Sequence, residues 1–565
     1  MEVGQEEVRC QRSEVGRRRS KVKTTCFLLL IEVTMAGKSF TNAFLILIGL
    51  LGSLSAFGQM PLPGIDVQHY NFAITLGDES DTVKGEATVE IKFLDDLNAF
   101  QLNLVKANSK GKGMLVSKIT CDGTNLVFRQ DSNAVNINIQ AKKNSVRNFI
   151  ITYQGVPADG LIISKNEFGH RTFFGDNWPN RAHNWLPCAD YPSDKATVDF
   201  VVTTPDHYQV VANGLKIEEA PLQNHLKLTH WKEKAKLPTK VMVIGVADFA
   251  IDQPGDVGNI PVYTYVFPES KESGFKNYAV AKEILPFYIK KIGPYAYEKL
   301  ANIQSKTIFG GMENASAIFY FEKSVESKGI EELMAHEIAH QWFGDAASEK
   351  NFSNLWLSEG FATYMTNLYL ENKYGSDMLK KRLTYDRDRV LKFEKSRFTP
   401  VVDTTTKGDY MQLLNDNSYQ KGGWVLHMLR RKLGDNLFWK GIRNYYTKYN
   451  GGNANTNDLC TVMEQTSGQE LKQFFKQWVF TAGHPQLDIK WVYDPTKSMV
   501  KFSIEQKQDA LFTFPLEVSV DKVLNTVSIT EKKTVVAFPA KQKPLSISID
   551  PDVNLLAGFS IAEND

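Results

Sequence analysis

Cysteine is scarce, with five in 565 residues. Cys10 and Cys26 lie in the first stretch of the chain. Cys121, Cys188 and Cys460 are far apart and odd in number. That pattern encodes neither a disulfide framework nor a thiolate metal site. An excess of one charge is also missing. Lys and Arg number 66, Asp and Glu 64; residues 1–58 hold eight and five of these, which leaves a body with 58 and 59. A nearly neutral body without a long basic run excludes nucleic acid as the main partner. No internal repeat or low-complexity tract is present, which excludes solenoids and fibrous arrays. What remains is ordinary globular composition, 42% hydrophobic and 23% charged, long enough for several packed domains.

The N-terminus reads as a processing segment. From Met35 the chain runs "MAGKSFTNAFLILIGLLGSLSAFGQ". Lys38 supplies a short positive region, and residues 44–54 form an apolar tract too short for a membrane span. Ala56 and Gly58 put small residues where a signal peptidase reads, which predicts cleavage after Gly58. Residues 1–34 fit no signal and no fold pattern, so Met35 is the expected start and residues 1–58 are set aside. The expectation is an exported protein, periplasmic or extracellular, with no stable membrane anchor after cleavage.

The body divides into three stretches. Residues 59–267 show strand-like alternation, as in "GEATVEIKFL" and "ATVDFVVTTP", and predict an N-terminal β-sandwich or saddle domain. Residues 268–490 carry apolar residues at helical spacing in segments that mostly end at Gly, and predict a mainly helical domain. Residues 491–565 return to short strands and predict a small C-terminal β domain. The class is α+β, multidomain.

Chemistry concentrates in the middle stretch, at "HEIAHQWFGD", residues 336–345. Ile330, Met334, Ile338 and Trp342 recur every four residues and form a core-facing stripe. His336 and His340, also four apart, share the opposite face, with Glu337 beside them. Gly344 is the predicted helix stop. This suits two zinc ligands with a carboxylate leaning over the metal. A catalytic zinc needs a third protein ligand. The next helix-like segment, "NLWLSEGFATY", offers Glu359, nineteen positions after His340; on spacing alone it is equally a surface glutamate.

Four blocks in one order carry a resemblance. H-E-x-x-H followed by Glu within W-L-x-E-G-F-A, "GGMEN" at 310–314, "SYQKGGWVLHMLR" at 418–430 and "LPCADYPSDKA" at 186–196 together resemble the aminopeptidase N family of zinc metallopeptidases, the gluzincins. The resemblance covers about residues 60–490. It implies a thermolysin-like catalytic domain holding one Zn2+ on His336, His340 and Glu359. It further implies Glu337 as general base and Tyr419 as donor to the developing oxyanion. Glu313 would anchor the substrate's α-ammonium, so the implied substrates are peptides with a free N-terminus. Gly310 and Gly311 would let backbone and peptide run close together, Met312 would cushion the first side chain, and Asn314 would orient the loop or accept from substrate.

Two departures from the family pattern stand out. Many relatives carry a Gln or Glu upstream of the P-C-x-D block that helps hold the amine. Here that position is Trp178, and Asp176 is the nearest carboxylate and the candidate substitute. Larger relatives also add a long helical C-terminal domain, for which only a short β-like stretch stands here. The resemblance leaves room for a branch that opens a lipid epoxide and for a metal-free peptide-binding scaffold, although every implied ligand is present.

Overall fold

A computed structural model describes residues 62–564. The predicted signal and the expected start at Met35 lie outside the described residues. Among these residues no helix is long and apolar enough to cross a membrane.

The N-terminal domain follows from its alternation. Ile65–Thr75 and Val83–Phe93 bury every second residue, as a half-buried strand must. They lie inside an eight-stranded sheet that is antiparallel apart from the parallel pairing of Ile65–Thr75 with Lys195–Pro205. A three-stranded and a four-stranded sheet complete this domain. Helices here are limited to single 3-10 turns such as Ala182–Asn184.

Two strands that precede residue 267 pair across the predicted boundary. Ala250–Val257 and Ile260–Val266 do not join the N-terminal sheets. They pair with Leu300–Ser305, Ala317–Phe321 and Gly311–Met312 in a five-stranded sheet of the central domain. Alternation identifies a strand but not the sheet it enters, because pairing is non-local. The central domain is therefore less purely helical than its periodicity suggests. Gly311–Met312 is the outermost strand of this sheet, bonded only to Ala317–Phe321. The helices Ile330–His340, Trp356–Tyr374, Ser376–Glu394 and Gly422–Leu433 follow. The C-terminal domain is a four-stranded and a three-stranded sheet between Gln486 and Glu563.

Candidate metal centre and peptide cleft

The first ligand helix, Ile330–His340, buries its stripe as predicted: Ile330, Met334, Ile338 and Trp342 are all in the core. Its other face is mostly covered, with His336 left partly exposed. The second ligand helix, Trp356–Tyr374, covers it and presents Glu359 from its first turn. A third helix, Gly422–Leu433, is drawn against the second where no side chain intervenes; a Cβ on Gly360 would lie 2.7 Å from the Cα of Gly422.

These helices bring three ligand atoms together. His340 Nε2 is 3.1 Å from His336 Nε2, and Glu359 Oε2 is 3.3 Å from the His340 nitrogen and 3.4 Å from the His336 nitrogen. Ligands about 2.0–2.1 Å from one tetrahedral ion lie about 3.3 Å apart, so the triangle fits a zinc-sized ion. Glu359 Oε2 is buried and has no hydrogen-bond donor, as a metal-binding oxygen would be. Two imidazole nitrogens at this distance repel unless a proton or a cation lies between them. The surrounding charge favours a cation. Although burial lowers it, His340 is pushed up to about 10 by Glu359, Glu313 and Glu337, a proton there standing in for the ion. Glu313, Glu337 and His340 form a second converging set that shares His340.

The outer shell fixes the imidazole. His340 Nδ1 lies 3.1 Å from the Phe343 carbonyl and 3.0 Å from Ser358 Oγ. An Nδ1–H donating to that carbonyl leaves the Nε2 lone pair for the metal. The helix ends at His340, four residues before the predicted stop. Gly344 instead serves this shell: at φ +120, its Cβ would sit 2.3 Å from Ser358 Oγ and 3.2 Å from His340 Nδ1.

On the other side lies the edge strand. Glu313 follows it, buried, with Oε1 unpartnered. Its carboxylate, that of Glu337 and His340 lie within 4.8 Å of one another. Burial pushes the Glu337 carboxyl well up; His340 opposes this, while Glu313 and Glu359 reinforce it. A Cβ on Gly311 would meet Glu337 Oε1 at 2.3 Å and Cγ at 2.6 Å, so this glycine makes room for Glu337. Beside Gly310 the nearest atom to a Cβ is Leu333 Cδ1 at 4.0 Å, and that position is open. Met312 is buried. Asn314 is fully buried, and both its amide atoms lack a partner.

Asp176, the candidate second amine ligand, already has three donors. Arg181 Nη2 donates to its Oδ1 at 2.6 Å, and the Ile308 N–H and Thr307 hydroxyl donate to its Oδ2 at 3.1 and 3.4 Å. It is wholly buried and tethers the loop that leads into the edge strand. Proximity in sequence suggested the role; a nearby guanidinium had already claimed the carboxylate. Trp178 is likewise buried, edge-on to Phe309 and Phe352.

Tyr419 sits in a single π-helical turn, Asn417–Lys421, before the third helix. Its ring stacks on His336 with centroids 5.9 Å apart. Burial raises its hydroxyl well above the ordinary range, and Glu359, Glu313 and Glu337 add to this. The phenol therefore stays protonated and is a donor.

Several supporting residues escaped the sequence reading. Ser358 stands one position before Glu359. Gln341, beside His340, donates to the Glu313 carbonyl at 2.8 Å and to Asp345 at 2.9 Å, and accepts from the Ser316 N–H at 2.7 Å. Lys195, from the P-C-x-D block, donates to the carbonyls of Asp345 and Ala346. That block ties the N-terminal domain to the turn after the first ligand helix. The only signal for these residues was their place next to a motif.

Comparison with known proteins finds two family domains. The Peptidase M1 N-terminal domain matches residues 66–241 and the Peptidase family M1 domain residues 277–478. A leucyl aminopeptidase of Saccharolobus solfataricus is 24% identical over 523 residues, 86% of this chain and 62% of that protein. This chain thus spans less than two thirds of that relative. Among solved structures, Legionella pneumophila aminopeptidase A in complex with aspartic acid matches with TM-score 0.76 at 15% identity, over 90% of this chain and 61% of that one. The M1 zinc metallopeptidase of Deinococcus radiodurans matches with TM-score 0.66 at 24% identity, over 76% of this chain and 97% of that one.

Proposed function

The chain belongs to the M1 peptidase family, and from that premise we propose that it is a zinc-dependent aminopeptidase that removes residues one at a time from the free N-terminus of peptides. The observation that carries the reading is the place of Glu313: a buried carboxylate with a free oxygen, at the end of an open edge strand, beside a three-ligand cradle of zinc dimensions.

His336, His340 and Glu359 would hold one Zn2+. Bound there, the ion would polarise the scissile carbonyl and acidify a water. The chain's own residues do the rest. The peptide adds to the outer edge of Gly311–Met312 as an extra strand, its main chain satisfied by hydrogen bonds. Glu313 accepts the α-ammonium in a charge-assisted bond. That bond rewards a free amine and fixes which peptide bond reaches Glu337. Glu337 takes a proton from the attacking water and delivers it to the leaving amine; its high proton affinity suits the second half of that task. The Tyr419 hydroxyl donates to the oxygen that gains charge. We also propose export to the periplasm or cell exterior, checked by N-terminal sequencing of the protein from its host: a mature start at Gln59 supports it, and an intact Met35 overturns it.

The test of the activity uses a mixed-sequence peptide and its N-acetylated twin, both followed by mass spectrometry. Stepwise shortening of the free peptide alone supports the reading. Internal cleavage of both keeps the hydrolase and removes the amine anchor. If neither changes although zinc is bound, the substrate is not a generic peptide. Protein without stoichiometric zinc would be a scaffold.

A further inference from the structure

Lys421, two residues after Tyr419, is fully buried. Its ammonium donates to Glu394 Oε1 at 2.6 Å and to the Gly483 carbonyl at 2.8 Å. Glu394 is the last residue of the helix Ser376–Glu394 and is itself buried. Its second oxygen accepts from His484 Nδ1, also buried. Gly483 and His484 form the strap that leads into Gln486–Asp494, the first strand of the C-terminal domain. The strap has little freedom. Gly483 has φ +87, and a Cβ there would meet the Phe398 ring at 2.8 Å. Three segments distant in sequence thus meet on one buried charge.

What this charge holds is the π-helical turn of Tyr419. At the next residue, Gly422, the third helix is locked against the second ligand helix at Gly360. The turn's N-terminal end is held by Asn417 Nδ2, which donates to the Thr399 carbonyl at 2.7 Å, and its C-terminal end by Lys421. A π turn departs from ordinary helical bonding, and such turns recur at functional sites. It keeps its shape only if its surroundings enforce it.

We propose that His484, Glu394 and Lys421 are positioning residues: a buried relay through which the junction with the C-terminal domain sets the Tyr419 hydroxyl over the metal centre. The inference rests on the role given to Tyr419 above. It makes the C-terminal domain part of the catalytic apparatus, although no residue of that domain need touch substrate.

The experiment uses the whole protein with His484→Ala, which leaves Glu394 paired with Lys421 and so spares the fold. Three readouts are taken. Amide hydrogen exchange should rise about tenfold or more in residues 417–421 and stay unchanged in Ile330–His340. With bound zinc unchanged, kcat should fall about tenfold while KM moves less than about twofold, since a shift of about 1 Å in a catalytic group can cost about 10²-fold. His484→Asn, whose amide can replace the Nδ1 donor, should recover most of the loss. In a Tyr419→Phe background, whose residual turnover needs long incubation, His484→Ala should cost nothing further. Unchanged exchange at 417–421 overturns the relay, and so does an equal loss of kcat with and without the Tyr419 hydroxyl. If the parent protein trims no free peptide, the functional reading fails, and the exchange result still decides whether the relay holds the turn.

Discussion

The site has two halves that are built differently. The metal half comes from helices. His336 and His340 are set by one helical turn, and Glu359 by the first turn of the helix packed across it. The peptide half comes from a two-residue edge strand, the residue after it, and a loop held by Asp176 from the preceding domain. Helical geometry is local, so four residues of spacing fix the relation of two ligands. An edge strand acquires its place only when distant strands pair. The metal half should therefore respond sharply to loss of single ligands or of the base. The peptide half should respond in graded fashion, according to how each residue is braced.

The largest effects belong to the metal half. His340→Ala should abolish stoichiometric zinc and lower turnover by about 10³-fold or more. Glu337→Gln should keep the zinc and still lose about 10³-fold in kcat, within the range for general acid–base groups. Metal analysis beside steady-state kinetics separates the two. If Glu337→Gln lost its zinc, Glu337 would belong to the cradle and the second converging set would need promotion.

The next effect falls on the peptide half. Glu313→Gln should lower kcat/KM about 10²-fold, chiefly through KM, because a buried charge partner is worth about 2–5 kcal/mol. It should also shrink the preference for a free over an acetylated N-terminus. A loss confined to kcat, with that preference intact, would remove Glu313 from amine binding.

That contrast also marks what could be read from the chain. The helical stripe, the two histidines and the class of each domain were legible because periods of two and about 3.6 are local properties. The sheet that receives residues 250–266 was not, since the same alternation suits either domain. Ser358 and Gln341 were not either, because a short polar side chain announces no partner. Asp176 shows the converse: carboxylate chemistry was visible, but its bond from Arg181 appears only in three dimensions. Tyr419 and Glu313 were reached through resemblance; in the structure Glu313 is buried with Oε1 unpartnered, and the Tyr419 ring stacks on His336.

Two adjacent glycines sharpen the comparison at smaller scale. Gly311→Ala must displace the whole Glu337 carboxylate, whose Cγ and Oε1 both lie inside contact distance of the new Cβ. It should cost about 10- to 100-fold in kcat with bound zinc unchanged. Gly310→Ala meets only open space and should stay within about twofold. Equal effects would mean that both glycines serve backbone freedom rather than space for Glu337.

A similarly small catalytic effect is expected where the sequence first suggested an amine ligand. In Asp176→Asn, the amide oxygen can still accept from the Ile308 N–H. Arg181 keeps the Trp178 carbonyl at 2.8 Å and Asp159 at 3.1 Å. The variant replaces one charge-assisted bond by a weaker one inside a buried site, a cost of about 1–3 kcal/mol. That cost should appear as a lowered Tm. Because the carboxylate is occupied by Arg181 rather than offered to substrate, kcat/KM should remain within about threefold, and the preference for a free N-terminus should be unchanged. A loss of that preference matching Glu313→Gln would mean that Arg181 releases Asp176 when peptide binds, and would restore it as the second amine ligand. A stability loss without a change in selectivity keeps it where the structure puts it, as the brace that carries the edge strand to the metal.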